Sequence, residues 1–127
     1  MLRILVIEDS PVGMALTVAA LEDAGHVVLQ AERAACGVDV ARREQPDLVL
    51  VDIHLAGTDG LQAARLLKSD PLTARIPVVA LAAFAIRGGD AEARAAGCDG
   101  VVTQPIRYKE FAAVVDAVMR RRTLASR

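Results

Sequence analysis

Two short, unbroken apolar runs end on acid: Ile4-Leu5-Val6-Ile7 leads into Glu8-Asp9, and Leu48-Val49-Leu50-Val51 leads into Asp52. A strand that is apolar at every position has no face to present to water. It therefore belongs in a sheet covered on both sides, as parallel sheets are. After the first run, Ser10 and Pro11 supply an N-cap and a first-turn proline, and Met14, Val18 and Leu21 follow at helical spacing until Gly25 closes the helix.

The same unit recurs along the chain. His26 to Ala31 reads as a strand, Ala34 to Glu44 as a helix, and Leu48 to Val51 as a strand entered through Gln45-Pro46-Asp47. Asp59 can cap a helix carrying Leu61, Ala64 and Leu67, which ends near Asp70-Pro71, and Ile76 to Leu81 forms the fourth strand. Gly88-Gly89-Asp90 opens a short alanine-rich helix stopped by Gly97. Gly100 to Thr103 is the fifth strand, and Phe111, Val115 and Val118 mark the stripe of a last helix. Five strands alternating with five helices predict an α/β fold, an open parallel sheet wound on both faces through right-handed crossovers.

The chain has 127 residues, 54% of them apolar, which suits one compact domain with a single buried core. The expected domain covers residues 1–122, with 123–127 as a short tail. A formal charge of −1 argues against a surface built to neutralise phosphates, so no nucleic-acid partner is expected. The three aromatic residues, Phe84, Tyr108 and Phe111, are too few for a base-stacking platform. Cys36 and Cys98 lack metal or redox spacing and are expected to be reduced, buried and inert. The apolar runs are too short to span a bilayer and no leader pattern is present, so the expectation is a cytoplasmic protein without a membrane partner.

In open α/β sheets the ligand crevice lies beyond the carboxyl ends of the strands, where strand order reverses. Glu8, Asp9 and Asp52 all fall there. Any one of them could merely cap the next helix, but three at the ends of the first and third strands form a set. Carboxylates brought together repel and raise one another's pKa unless a cation joins them. Oxygen ligands without a His or Cys pattern favour Mg²⁺, an ion that keeps several waters and often binds beside phosphate. No GxxxxGK[ST] or GxGxxG loop is present to cradle a nucleotide, and no Ser/His/Asp set is placed for acyl transfer. Gly57 and Gly60 read as conformational residues of a turn.

Taken in order, Ile4-Leu5-Val6-Ile7-Glu8-Asp9, Leu48-Val49-Leu50-Val51-Asp52, Gly57-Thr58-Asp59-Gly60, Pro77-Val78-Val79-Ala80-Leu81 and Ala96-Gly97-Cys98-Asp99-Gly100 resemble bacterial response-regulator receiver domains. The resemblance covers nearly the whole chain, and is strongest to single-domain regulators of the chemotaxis and cell-cycle type. It implies a flavodoxin-like fold with strand order 2-1-3-4-5. It also implies that Asp52 is the phosphoacceptor, served by a sensor histidine kinase or histidine phosphotransferase in a Mg²⁺-dependent reaction. Asp9 and Asp52 would bind the ion directly, Glu8 through water, and the backbone carbonyl of His54 would complete the protein's share of the ligands. A downstream protein partner is implied, and self-association into a homodimer is common in the family.

Three positions depart from the pattern. Ala82 stands where receivers usually carry Thr or Ser, Gln104 where they carry Lys before a proline, and Val101 where Tyr or Phe is frequent. The lysine's charge-assisted hydrogen bonds, each worth roughly 1.5–3 kcal/mol, are lost, and so is the hydroxyl. Removing two differential contacts can erase most of a coupling of about 1–3 kcal/mol. Two readings stay open: a phosphoaccepting regulator, and a pseudo-receiver whose partner binding ignores phosphorylation. A hydrolase reading is disfavoured, since His54 stands where a general acid carboxylate is wanted. Arg87 is a candidate for the missing positive charge, and Phe84 for an exposed contact.

Overall fold

The computed structural model describes residues 1–53, 59–83, 93–104 and 107–125. Its strands are β1 (Arg3–Ile7), β2 (Val27–Ala31), β3 (Leu48–Asp52), β4 (Val78–Ala83) and β5 (Gly100–Gln104). The helices are α1 (Pro11–Asp23), α2 (Ala34–Glu44), α3 (Asp59–Ser69) and α5 (Tyr108–Ala125), with a helical turn at residues 93–95 as the described part of α4. All four strand pairings are parallel, in the order β2-β1-β3-β4-β5. This is the doubly wound flavodoxin-like arrangement expected from the sequence.

Burial follows the period of a strand. Leu5, Ile7, Val49, Val51, Val78, Ala80 and Ala82 point to one side, where α2 and α3 bring Val38, Ala41, Ala64 and Leu67. Ile4, Val6, Leu48, Leu50, Val79, Leu81 and Val102 point to the other and meet Met14 and Leu21 of α1 and Phe111 and Val118 of α5. Every residue of β3 is buried. That explains its uninterrupted apolar run: at the centre of the sheet there is no wet face. β2, at the edge, leaves Val27 and Gln30 exposed.

Several boundaries move, each for a local reason. His26 is outside β2 because its N–H donates to Leu21 O, while the N–H of Gly25, at φ 91°, donates to Glu22 O; together these close α1. β4 begins at Val78 instead of Ile76. Ile76 N–H is spent on a turn to Thr73 O, and Pro77 has no N–H to enter the ladder. α5 continues through Ala125, since Thr123-Leu124-Ala125 contains no helix breaker. Cys36 is exposed, correcting its expected burial. The inward face of α2 is made by Ala34, Gly37, Val38 and Ala41, and residue 36 falls on the opposite side. Cys98 is buried, which pushes its thiol up to about 11, and both thiols are free. No helix among the described residues is long and apolar enough to cross a membrane.

The start of α3 is set hard against the end of β3. A Cβ on Gly60 would stand 2.2 Å from Asp52 O and 2.5 Å from Ile53 Cα, both backbone atoms that cannot step aside. Replacing a helical glycine by alanine ordinarily stabilises by about 0.5–1 kcal/mol. Here overpacking, typically about 1–3 kcal/mol, outweighs that gain. Gly60→Ala should therefore lower the unfolding free energy by a net amount of roughly 1–2 kcal/mol, read as a lower urea midpoint. A raised midpoint would show that α3 does not abut the β3 terminus.

Candidate metal and phosphoryl site

The crevice forms where the chain leaves β1 and β3, the two central strands that lead to opposite sides of the sheet. Glu8 follows β1 directly, and its backbone N–H extends the ladder to Ala31 O at 3.0 Å. Ser10 then caps α1: its Oγ accepts from Gly13 N–H at 3.2 Å, and its own N–H donates to Glu8 Oε1 at 3.0 Å. Asp52 is the last residue of β3, paired in register with Leu81. The next residue, Ile53, donates its N–H to Leu81 O at 3.1 Å.

These placements bring Glu8, Asp9 and Asp52 together, with one carboxylate oxygen from each lying within 4.8 Å of the other two. Glu8 is 1% exposed and Asp52 6%, whereas Asp9 is exposed at the mouth. Burial pushes the Glu8 carboxyl from an ordinary 4.5 up to about 7. Its hydrogen bond to Asp52 and the charges of Asp52 and Asp9 push the same way, against the Ser10 N–H. The site thus concentrates negative charge in a setting that resists it. Beside it, a cleft of about 340 Å³ opens between α1 and the edge strand, lined by Glu8, Asp9, Met14, Val18, Gln30 and Glu32 among others.

The remaining candidate residues divide into two groups. Ala82 is buried among the apolar residues beneath α2 and α3, and Val101 packs against the same cluster from β5. Gln104 is placed by its backbone beside Ala83, and its side chain lies outside the described residues, as do His54, Phe84, Arg87 and Gly57. Neighbouring Thr103 pairs with Ala82 and turns its hydroxyl to Glu110 Oε1 at 3.3 Å. Gly13 carried no weight in the sequence reading, yet its bare α-carbon faces the Glu8 carboxyl. A lone glycine inside a helix was the available signal, and it does not say what fills the space.

With this geometry in view, the comparisons with known proteins agree. The family described as the response regulator receiver domain matches residues 4–116. Protein PilH of Pseudomonas aeruginosa is 37% identical over 119 residues, covering 94% of this chain and 98% of PilH. The polar-differentiation response regulator DivK of Brucella anthropi is 32% identical over 108 residues, covering 85% of this chain and 88% of DivK. Among solved structures, the receiver domain of the sensor histidine kinase PA1611 from Pseudomonas aeruginosa superposes with a TM-score of 0.82 at 28% identity. The match covers 91% of this chain and 95% of that one, and that structure has a magnesium ion coordinated in its active site cleft. The chain, matched along most of its length and carrying its acidic cluster at the strand ends, belongs to the response regulator receiver domain family of two-component signalling.

Proposed function

We propose that the chain is a single-domain response regulator that accepts a phosphoryl group on Asp52 from a histidine kinase or phosphotransferase. It does so in a Mg²⁺-dependent reaction in the cytoplasm, and acts by contact with other proteins rather than as an enzyme. The observation that carries this reading is the convergence of Glu8, Asp9 and Asp52 at the end of a fully buried central strand. Three carboxylates with no His or Cys beside them among the described residues form a donor set suited to a hard cation. Asp9 and Asp52 would hold the ion directly, Glu8 through water, with the His54 carbonyl as the further ligand. A bound Mg²⁺ supplies positive charge for the phosphoryl oxygens.

The work of the chain's own residues follows from their placement. An Asp52 carboxylate oxygen attacks the phosphorus of a phosphohistidine; the P–N bond breaks and an acyl phosphate forms. Gly60 lets α3 close on the Asp52 carbonyl, the β3–β4 ladder fixes the strand end, and Glu8 and Asp9 bring their carboxylates beside that of Asp52. Contact with protein partners is supported by α1, which is apolar on its outer side as well: Val12 is 70% and Leu16 62% exposed. No lysine or arginine lies on that helix.

A second reading, the pseudo-receiver, is favoured by the switch positions. Ala82, 4% exposed and held among apolar neighbours, offers no hydroxyl to a phosphoryl group, and half-buried Val101 offers no ring to reorient. The two readings share the acceptor and part at the response. Incubation with Mg²⁺ and a small acyl phosphate should add one phosphoryl group by intact mass, and Asp52→Asn should abolish it. Failure to label with small donors and with phosphorylated kinases alike would overturn the first reading. Equal partner affinity before and after labelling would establish the second.

The buried Glu8 adds a pH signature of definite sign. Its proton is retained in the folded protein up to about 7 against an ordinary 4.5, so the folded state binds more protons between those values. Stability from the neutral carboxyl is fully present below about 4.5 and lost as pH rises through about 7. Thermal melts without Mg²⁺ should show Tm falling from about pH 5 to about pH 8. Glu8→Gln should flatten that fall, and saturating Mg²⁺ should shrink it. A Tm that rises across the window in the wild type would contradict the burial of Glu8 against Asp52.

A further inference from the structure

We infer that Gly13 is a positioning residue for the acidic site: the volume its side chain would fill is taken by the carboxyl of Glu8. The inference rests on the reading of Glu8, Asp9 and Asp52 as a Mg²⁺ site, and it names a residue that does not touch the ion.

A Cβ at position 13 would lie 3.1 Å from Glu8 Cδ, 3.2 Å from Glu8 Oε2 and 3.4 Å from Ser10 Cβ. Contacts that short require the neighbour to give way by a few tenths of an ångström, and Glu8 has little room to do so. Its side chain is buried, Oε1 is tied to the Ser10 N–H at 3.0 Å, and the carboxyl also bonds Asp52. Ser10 is itself held by the cap it forms with Gly13 N–H at 3.2 Å. A methyl group here would push the carboxyl within the site, altering its spacing from Asp9 and Asp52.

Local preference points the other way. Position 13 lies in the first turn of α1, where alanine is the better helix former, and the helix uses alanine at 15, 19 and 20. Glycine weakens the helix and serves the carboxyl. The contrast with Gly60 sharpens the assignment: there a methyl would strike backbone, a matter of fold, whereas at Gly13 it would strike a ligand side chain, a matter of the site.

The test uses the full chain as wild type, Gly13→Ala, Glu8→Asp and the double variant. Mg²⁺ affinity is measured by calorimetric titration, and Tm without Mg²⁺ by thermal melting. Gly13→Ala should lower the metal-free Tm less than Gly60→Ala does, because a side chain can give way where backbone cannot, while weakening Mg²⁺ binding about tenfold, the scale on which residues beyond the direct ligands act. In the Glu8→Asp background, whose shorter side chain withdraws from position 13, adding Gly13→Ala should change Mg²⁺ affinity little. Wild-type Mg²⁺ affinity in Gly13→Ala, or an equal loss in both backgrounds, would overturn the inference. If Gly13→Ala does not fold, folding of the double variant supports the contact and its failure to fold overturns it. Absence of Mg²⁺ binding by the wild type would overturn the metal reading itself, and the inference with it.

Discussion

A carboxyl group buried to 1% exposure beside two others is an expensive arrangement, and much of this molecule is organised around it. Glu8 retains its proton up to about 7 because burial and its neighbours disfavour the charge. Holding it there requires a rigid frame: a ladder bond from its own N–H, a capping serine that donates to its carboxyl, and a helix whose first turn leaves space for it. The frame in turn depends on β1 and β3 lying side by side with both faces covered, since only then do their ends meet in one crevice.

From that constraint the functional character of the site follows. Unneutralised, the cluster is strained by its own charge; on the proposed reading a cation would relieve that strain and let the same oxygens seat a phosphoryl group. Around it the expected relay is muted. Where a hydroxyl and an aromatic ring would carry the event toward β4 and β5, Ala82 and Val101 merge with the apolar core. Under the proposed function, receiving a group is better provided for than reporting it. This is why the two readings of function share an acceptor and differ only in response.

The alternation of strand and helix was legible because each element carries its own pattern. Apolar runs without a wet face mark central strands, and helical spacing with Ser10-Pro11 at one end and Gly25 at the other marks α1. Acids at the ends of the first and third runs marked the site before any contact was known. Where the reading slipped, a partner distant in sequence or a bond outside the local pattern decided. Ile76 left β4 because its N–H bonds Thr73 O, and His26 left β2 because its own bonds back to Leu21. Cys36 turned outward because α2 packs through a different stripe.

The amino-acid sequence by itself determined the element order, the parallel class of the sheet and the identity of the three carboxylates, because periodicity and strand-terminal acids are local properties of the chain. Only the tertiary structure decided how close those carboxylates come, that Glu8 and Asp52 are buried while Asp9 stays exposed, that the Glu8 proton is held to about 7, and that Gly13 and Gly60 are empty for different reasons. The physical reason is distance along the chain. Glu8 and Asp52 meet through the register of β1 against β3, and the space around them is set by helices packing on both faces of that sheet, which no local pattern records.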